Sequence, residues 1–465
     1  MPRSGSASTE TRQYEEPAVV LGAGIAGLAA AAVLADHFPA VLVVERDSLS
    51  DEPSVRRGVP QGAHLHGFTV GGRGALEEML PGFGEELVRA GAQSFDFAVD
   101  LPIRSHLGWG IRFPSDLWFV CASRPLTEHV LRRRIAQHPR VTMLTGVQVT
   151  GLTREGPRVN GVTVRPAHGG RTSALPVGLV VDAMGRGSRC ARWLEQAGFP
   201  SPTEEHIDPH TTYATRVYRR PDVPPYSWQG CYLQVGPGQP RGGMLLPIEG
   251  GRWMATLVGL GARSPSKEEA DWLPFARSLA SPVLAENLSH AEPLTPVAVS
   301  HSTTTWRRHL HALRGQPDNL VCVGDTSVCF NPIYGQGMSV AIFTARYLGE
   351  CLDRTPLSTG FAHRFHRGVR SLTRDPWLIG SAADLRYEST TGPGRRLHHR
   401  AAMRYFDRVL EAGVRDPLVQ LAFLRVFNML APVSSLLSPA VARRVLGGRA
   451  PGRRPADAPP PVTAR

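Results

Sequence analysis

Three glycines near the start of the chain have the spacing G-x-G-x-x-G, which is typical of dinucleotide sites. Gly22 permits a tight turn, Gly24 lets the backbone approach a pyrophosphate, and Gly27 lets a helix lie close to a sheet. The motif follows a short apolar run at 18–21 and opens an Ala- and Leu-rich stretch at 25–38. These flanking stretches predict a strand and a helix, which is the structural context that the motif requires.

The next residues complete a β-α-β unit with a place for a nucleotide. The first helical turn includes Ile25 and Ala26, and its free N–H groups would face the pyrophosphate. A second apolar run at 40–44 precedes Glu45, which can accept hydrogen bonds from a ribose 2′-OH, and Arg46 follows it. The motif by itself does not separate NAD from FAD.

Two later apolar runs also end at acidic residues in glycine-rich surroundings. The first ends in Asp182 and leads through a turn into a predicted helix at 188–197. The second ends in Asp325 and precedes a long predicted helix that begins near residue 338 and ends near residue 352. Small residues at the carboxyl ends of parallel strands are where an open α/β sheet meets its ligand.

The second of these turns indicates which dinucleotide is bound. A helix N-terminus preceded by glycines, far along the chain from the first, implies a long cofactor held at both ends, which favours FAD over NAD. Asp325 could accept hydrogen bonds from ribityl hydroxyls. The backbone groups that could donate to the isoalloxazine carbonyl belong to Gly335, Gln336, Gly337 and Met338.

Two arginines and two histidines lie in stretches that would border this site. Arg56, His64 and His66 lie in a loop punctuated by Gly and Pro, and Arg124 precedes a helix predicted to end near residue 138. The arginines could meet a phosphate or the flavin edge. The histidines could act as acids or bases, although histidines in such loops more often hold the loop by hydrogen bonds.

Composition restricts the partners and the location. The formal charge is +12, almost all of it from arginine, and Lys267 is the only lysine. A solvated arginine surface is the favoured interpretation, since no nucleic-acid-binding motif accompanies the charge. The six cysteines are scattered, so neither a metal site nor a disulfide framework is expected. No signal peptide and no membrane-spanning run are recognised, and we expect a cytoplasmic protein.

The order of predicted elements divides the chain into six segments. Helices alternate with buried strands in the first part, whereas short strand-like runs separated by Pro and Gly turns follow and predict an antiparallel sheet. The segments are a disordered tail (1–16), a cofactor-binding domain in two parts (17–199 and 301–355), an inserted substrate domain (200–300), a helical region (356–448) and a second disordered tail (449–465).

Taken together, the three glycine-containing turns resemble those of the single-component flavin monooxygenases with the p-hydroxybenzoate hydroxylase fold. The resemblance covers most of the chain to about residue 353 and implies an α/β fold, in which a Rossmann-like FAD-binding domain carries an inserted antiparallel-sheet domain and C-terminal helices. The loop at 56–66 and the segment 375–446 are similar to actinobacterial epoxidases of polyether-polyketide pathways, which are related to squalene epoxidase.

The resemblance also implies which residues contact the cofactor. Asp182 belongs to a motif associated with both FAD and NADPH, but its usual Asp-Gly is replaced here by Asp182-Ala183, with the glycine delayed to Gly185. The residues with implied FAD contacts are Gly22, Gly24, Gly27, Glu45, Arg46, Arg56, Arg124, Asp325, Pro332, Gly335, Gln336, Gly337 and Met338.

The implied activity is a monooxygenation that uses NADPH or NADH, O₂ and a flavin C4a-hydroperoxide. Epoxidation of an alkene in a polyketide or terpenoid-like natural product is the favoured reaction that the resemblance to the epoxidases implies, and it needs no protein base. A phenol hydroxylase would need a group that deprotonates the phenol; none is identified, and a Tyr or His within 200–260 stays open for that role. The alternatives are an aromatic hydroxylase, a flavin-dependent prenyl-chain reductase and a non-enzymatic FAD-holding protein. The Trp-x-Trp-x-Ile-Pro signature of flavin halogenases is absent. An acidic carrier protein could deliver the lipophilic substrate to the basic surface, and membrane contact is the less favoured possibility.

Overall fold

A computed structural model of the chain describes residues 14–301, 303–394, 397–447 and 459–463. The predicted tails, 1–16 and 449–465, therefore lie for the most part outside the described residues. Within the first of them, the ring of Tyr14 stacks on that of Phe38, with 4.5 Å between the ring centroids. The described structure thus begins inside the segment that was predicted to be disordered.

Helices and strands are numbered in chain order. The helices are α1 (Ile25–Leu34), α2 (Val70–Met79), α3 (Phe83–Arg89), α4 (Phe97–Asp100), α5 (Arg124–Ala136), α6 (Cys190–Gln196), α7 (Glu269–Arg277), α8 (Val283–Ser289), α9 (Gly337–Arg354), α10 (Phe361–Leu372), α11 (Arg374–Asp384), α12 (Leu397–Gly413), α13 (Pro417–Phe427) and α14 (Pro439–Gly447). The strands are β1 (Ala18–Leu21), β2 (Val41–Glu45), β3 (Gln93–Asp96), β4 (Ile103–Ser105), β5 (Gly108–Trp109), β6 (Trp118–Cys121), β7 (Val141–Thr145), β8 (Val147–Glu155), β9 (Arg158–Pro166), β10 (Ser173–Pro176), β11 (Leu179–Asp182), β12 (Glu204–Ile207), β13 (Thr211–Arg219), β14 (Cys231–Leu233), β15 (Arg241–Ile248), β16 (Arg252–Leu260), β17 (Glu292–Pro293), β18 (Ala298–Ser300), β19 (Thr305–Arg308), β20 (Leu320–Cys322) and β21 (Val328–Cys329).

A five-stranded parallel sheet with the order β20-β11-β1-β2-β7 carries the three glycine-containing turns. Leu21 pairs with Asp182 on one side and with Val44 on the other, and Asp182 pairs with Cys322. This register places the carboxyl ends of β1, β2, β11 and β20 along one edge of the sheet. The prediction that separate stretches of the sequence meet at one edge of a parallel sheet is confirmed.

Helices cover this sheet because its strands are apolar on both faces. Helix α1 packs against α9, α2 and α5, and its Ala-rich surface contributes to a core that also includes Phe38, Leu348 and Phe365. The other face is covered by the sheet β10-β9-β8 and by α6, around Trp193 and Phe199. Burial on both faces is the usual arrangement for a parallel sheet.

The predicted antiparallel sheet is present but larger than expected. Eight strands form it, in the order β17-β13-β16-β15-β14-β4-β5 with β18 beside β13. Strands β4 and β5 come from the segment assigned by sequence to the cofactor-binding domain, and β14 pairs with β4 in parallel. The sheet therefore extends beyond 200–300, because a short hairpin of the first part supplies its edge.

The C-terminal helices pack against the two main parts of the molecule. Residues of α12, α13 and α14 share a core with β3, β4 and β6, in which Phe423 and Leu424 are buried beside Phe97 and Phe119. Helix α11 lies close to the residues that precede α9, since Trp377 and Phe330 share a small cluster. The α/β fold, with an FAD-binding domain of Rossmann type, a separate sheet and C-terminal helices, agrees with the prediction.

His366 of α10 is a buried group that ties the helix to the parallel sheet. Its Nε2 accepts from the Cys322 N–H (3.1 Å), and its Nδ1 lies 2.9 Å from Gln316 Oε1. Burial, with smaller contributions from His363 and His311, lowers the pKa of His366 to about 3. The folded protein therefore keeps this imidazole neutral at pH values where an unfolded chain protonates it.

We expect His366 to make stability depend on pH between about 6.5 and 3. Below pH 6.5 the unfolded state binds a proton that the folded state does not, so stability is lost progressively as the pH falls. His366→Gln should remove this component, and the fall in melting temperature from pH 6.5 to pH 4 should be smaller than in the wild type. The exposed His290→Gln variant is the control and should keep the wild-type slope; equal slopes in all three proteins would contradict the assignment.

Candidate cofactor and substrate site

The turn between β1 and α1 has the geometry that a pyrophosphate site requires. Gly22 has a φ of +99°, a backbone conformation that L side chains rarely adopt. A Cβ at Gly27 would overlap the carbonyl oxygen of Gly22, so the helix approaches the strand as closely as the backbone allows. The first N–H groups of α1, on Ile25 and Ala26, have no carbonyl partner within the helix and point from its end.

Glu45 lies beside this turn at the end of β2. Its Oε2 accepts from the N–H of Ala23 at 2.9 Å, and its Oε1 accepts from the N–H of Asp47 at 3.0 Å. The carboxylate is thereby fixed next to the glycine-rich turn, where an adenosine ribose would lie if the pyrophosphate met the start of α1. Arg46, also predicted to contact the cofactor, is exposed.

The two predicted arginines converge on the same turn. Arg56 forms ion pairs with Glu45 (2.9 Å), Asp47 (3.3 Å) and Glu128 (2.6 Å), and it donates to the Ala23 carbonyl oxygen at 3.1 Å. Burial alone would lower the pKa of Arg56, but Glu128 and Glu45 raise it above its usual value. Arg124 pairs with Glu128 at 3.2 Å, and its guanidinium lies near Gly24. A phosphate at this turn would therefore lie beside two guanidinium groups whose positive charge is already paired with Glu45, Asp47 and Glu128.

Asp182 organises the second turn and joins it to the third. Its oxygens accept from Ser188 Oγ at 2.5 Å, from the Met184 N–H at 3.0 Å and from Thr326 Oγ1 at 3.2 Å. Thr326 also accepts from the N–H of Gly185 at 2.8 Å. The side chain is buried, and these hydrogen bonds are all made to other groups of the protein. Asp182 therefore acts on the site by holding the second and third turns together.

Asp325 lies where these two turns face the start of α9. A Cβ built at Gly185 would lie 3.6 Å from Asp325 Cβ, and one at Gly337 would lie 3.6 Å from Asp325 Oδ1. Burial raises the pKa of Asp325, and the nearby Arg186 opposes that shift. A carboxylate enclosed by glycines on two sides has room beside it for hydroxyl groups, which fits the ribityl chain of FAD.

The start of α9 offers hydrogen-bonding groups that the protein itself does not use. Gly335 has a φ of +66° and is exposed, as is Pro332, whereas Met338 is buried. Gln336 is only 5% exposed, and its Oε1 has no hydrogen-bond partner within the described residues. A buried polar atom left without a partner costs free energy, so its presence beside a helix N-terminus fits a bound polar group.

The structure thus brings most of the predicted residues to one edge of the sheet. Glu45, Arg56 and Arg124 surround the first turn, and Asp325 lies between the second turn and α9. The N-terminal parts of α1 and α9 both lie near the turn that follows β20, since a Cβ at Gly324 would contact Ala26 and Ala341. The residues present fit FAD.

The loop histidines are held by hydrogen bonds. His64 Nδ1 lies 2.9 Å from Thr215 Oγ1, and His66 Nδ1 lies 2.9 Å from the carbonyl oxygen of His64. Burial lowers the pKa of His64 to about 4, and burial together with Arg124 lowers that of His66 to about 3. Both imidazoles are neutral at pH 7, so the structure favours the loop-holding interpretation over proton transfer.

A cavity of about 850 Å³, including its open mouth, lies between the antiparallel sheet, the start of α9 and the C-terminal helices. We call it the C-terminal cavity. Its wall is mostly aromatic and aliphatic, and Gln336 connects it to the start of α9. The lining residues are His106, Tyr232, Gln234, Val235, Ile333, Tyr334, Gln336, Ile379, Ala383, Arg386, Tyr387, Met403, Phe406, Leu410, Phe423, Val426 and Phe427.

Two clusters of polar side chains in or behind this wall were not found by sequence reasoning. Tyr334 donates its hydroxyl to Asp384 Oδ1 at 2.7 Å. Elsewhere in the wall, Arg386 pairs with Asp407 at 2.6 Å, and His106 lies 3.5 Å from the same carboxylate. An aspartate within an otherwise small and apolar stretch of a helix was the one available signal for Asp384.

No helix within the described residues is both long and apolar enough to cross a lipid bilayer. The six cysteines are free, and Cys190 Sγ lies 3.8 Å from Cys322 Sγ.

Comparison with known proteins agrees with the geometry. The pattern of the FAD binding domain family matches residues 15–355. The chain is 31% identical to protein Rv3254 of Mycobacterium tuberculosis over 90% of both chains, and 27% identical to a kynurenine 3-monooxygenase of Salinispora tropica over 73% of both. The flavin-dependent brominase Bmp2 has a similar structure, with a TM-score of 0.66, 16% identity, and coverage of 94% of this chain and 98% of that one.

Proposed function

Because this chain belongs to the FAD binding domain family and is an FAD-dependent monooxygenase, we propose that it transfers one oxygen atom of O₂ to a lipophilic, unsaturated small molecule. The observation that carries this proposal is the C-terminal cavity, whose apolar wall meets the start of α9 at Gln336. NADPH or NADH is the proposed reductant.

The residues that would hold FAD divide between its two ends. The first turn and α1, with Glu45, Arg56 and Arg124, would bind the adenosine and the pyrophosphate. Asp325 would bind the ribityl chain, and the backbone from Gly335 to Met338 would hold the ring system. Bound FAD supplies the redox chemistry that reduces and activates O₂.

The protein's own contribution is to position the substrate and exclude water. Phe406, Phe423 and Phe427 on α12 and α13 form an apolar wall opposite the sheet residue Tyr232. Such a wall favours a lipophilic substrate and keeps solvent from the reacting atoms. Arg386 and Asp407 supply a charged region that suits a polar end of the substrate.

Hydroxylation of an arene is the reaction that we place first. The relative from Salinispora tropica is named as a kynurenine monooxygenase, and kynurenine carries an aromatic ring. Tyr334, a phenol that can exchange a proton with Asp384, also lines the cavity, and the sequence-based preference for epoxidation did not take it into account. Likeness to the brominase at 16% identity concerns the fold and adds no support for halogenation.

Epoxidation of an alkene is the second candidate. The segment that resembles the polyether epoxidases, 375–446, supplies α11, α12 and α13, and these helices form much of the cavity wall. A flexible polyene would suit the aliphatic part of this wall, at Ile379 and Leu410. Delivery by an acidic carrier protein belongs with this candidate and is supported by the net charge of +12.

The proposal is tested by supplying the FAD-loaded enzyme with NADPH, isotopically labelled O₂ and a panel of lipophilic arenes and polyenes. We expect a product that carries one labelled oxygen atom, and the product class separates hydroxylation from epoxidation. Saturation of a double bond without label would instead favour the reductase alternative and contradict the proposal.

Filling the C-terminal cavity should reduce product formation without removing FAD. Ala383 of α11 lines the cavity, so Ala383→Phe would occupy space needed by the substrate. We expect labelled product to fall at least about tenfold, which corresponds to about 1.4 kcal/mol, with bound FAD unchanged. Ala401→Phe, on the exposed surface of α12, is the matched control and should behave as the wild type. Equal turnover in the two variants would place the substrate elsewhere.

A further inference from the structure

Asp384 is a buried carboxylate that the cofactor site does not use. It ends α11 and is 1% exposed. Its Oδ1 accepts from Tyr334 Oη at 2.7 Å and from Asn331 Nδ2 at 3.0 Å, and its Oδ2 accepts from Thr305 Oγ1 at 3.1 Å. The carboxylate lies behind the cavity wall, and Tyr334 stands between it and the cavity.

The hydrogen bond to Asp384 determines what Tyr334 offers to the cavity. A phenolic hydroxyl has one proton and two acceptor positions. The proton is directed at Asp384, so the oxygen keeps lone pairs that can accept from a ligand in the cavity that Tyr334 lines. Tyr232, which also lines the cavity, donates its hydroxyl to the Ile333 carbonyl oxygen at 3.0 Å and is not backed in this way by a carboxylate.

We propose that Tyr334 and Asp384 form an acid–base pair that takes the proton of a substrate hydroxyl carried on an unsaturated carbon. In this step the substrate O–H bond breaks and its proton passes to Tyr334 Oη, while the proton of Tyr334 passes to Asp384. The substrate becomes an oxyanion, Tyr334 is regenerated and Asp384 becomes neutral, so charge and protons balance. The loss of the proton makes the adjacent unsaturated carbons more electron-rich. The assignment rests on the proposed function and narrows its substrate to phenol- or enol-type molecules.

The surroundings of the pair suit proton acceptance near neutral pH. Burial raises the pKa of Asp384 to about 7, although its three hydrogen-bond donors oppose the shift, and Asp208 raises it further. Burial and Asp384 also raise the pKa of Tyr334, and Tyr387 and Tyr232 add to that shift. Two further ionisable side chains of the described cavity wall face the pair, namely His106 and Arg386. Both lie beside Asp407, which forms an ion pair with Arg386.

The experiment compares two probes that differ in a single hydrogen-bond donor. Binding of 2-naphthol and of 2-methoxynaphthalene to the FAD-loaded enzyme is measured by calorimetry between pH 5.5 and pH 8.5. We expect the wild type to prefer 2-naphthol by at least about tenfold at the upper end, the size of one charge-assisted hydrogen bond. The preference should grow as the pH rises through about 7, where Asp384 loses its proton.

Two variants separate the acid–base role from a structural one. Tyr334→Phe should lose the preference for 2-naphthol at every pH while binding the ether as the wild type does. Asp384→Asn keeps an acceptor for Tyr334 and should bind 2-naphthol with a smaller preference that no longer depends on pH. If Tyr334 and Asp384 only supported the packing, each variant would weaken the binding of both probes equally. The wild-type preference for 2-naphthol would then not depend on pH.

The inference is overturned if the wild type binds the two probes equally, binds neither, or keeps the pH-dependent preference in both variants. Reoxidation of the reduced enzyme by O₂, measured on the same proteins, keeps the two proposals apart. Oxygen transfer in a wild type without probe preference would remove only the acid–base pair. Failure of the reduced wild type to react with O₂ would remove the proposed function, whatever the probes show.

Discussion

Replacing Gly27 by alanine is expected to abolish retention of FAD. A Cβ at this position would overlap the carbonyl oxygen of Gly22, which is backbone and cannot rotate away as a side chain could. Helix α1 would have to move off β1, and its N-terminal N–H groups would leave the position that the pyrophosphate needs. Purified Gly27→Ala should contain little flavin, and its affinity for added FAD, measured by flavin fluorescence, should fall at least about a hundredfold, or about 2.7 kcal/mol.

Gly74→Ala is the matched control for this variant. Gly74 lies within α2, has the ordinary helical conformation, and a Cβ there would meet nothing within 4 Å. Alanine is favoured over glycine inside a helix by about 1 kcal/mol, so this variant should be at least as stable as the wild type and should retain FAD. Retention of FAD by Gly27→Ala at the wild-type level would show that close contact of α1 and β1 is not needed.

Replacing Arg56 by alanine is expected to destabilise the protein far more than removing an exposed charge. The Arg56 side chain is 10% exposed and forms ion pairs with Glu45, Asp47 and Glu128, whose side chains are 7%, 11% and 6% exposed. Removing one member of a buried ionic network leaves the others uncompensated, at a cost of about 3–5 kcal/mol. The melting temperature at pH 7 should fall accordingly, and FAD affinity should fall with it because Glu45 is no longer held.

An exposed arginine provides the comparison. Arg219 pairs with Glu292 at 2.7 Å, but the two side chains are 64% and 63% exposed. Such surface pairs contribute about 1 kcal/mol or less, so Arg219→Ala should change the melting temperature little. Arg56→Lys should recover part of the loss, because it restores the charge without the several directed N–H groups. A melting temperature for Arg56→Ala equal to that of Arg219→Ala would contradict the network's importance.

The cofactor half of the site could be predicted because its signals are local. Gly22, Gly27 and Glu45 lie within one β-α-β unit, and each residue type has a direct backbone or hydrogen-bonding reason to be there. Asp182 and Asp325 follow buried strands, and parallel pairing of β11 with β1 and β20 brings them together. The pattern of apolar runs and glycines was therefore sufficient to predict which residues gather at this edge of the sheet.

The substrate half could not be predicted, because its residues meet only through tertiary packing. Tyr334 and Asp384 are 50 residues apart, and neither is marked by a motif for proton transfer. Strands β4 and β5 join the antiparallel sheet from a distant segment, which no local pattern indicates. The sequence predicts a helical region at 356–448, but that its helices form the cavity wall depends on which faces they bury.

The central claim is tested most directly by mixing the anaerobically reduced, FAD-loaded enzyme with O₂ in a stopped-flow spectrometer. We expect the absorbance of the reduced enzyme to change in two phases. The rate of the first should be proportional to O₂ concentration, and the oxidised flavin spectrum should return only in the second, at a rate independent of O₂. A lipophilic phenol such as 2-naphthol should accelerate the second phase. Reoxidation in a single phase that no arene or polyene alters, or no reaction with O₂, would contradict the assignment of oxygen transfer to this site.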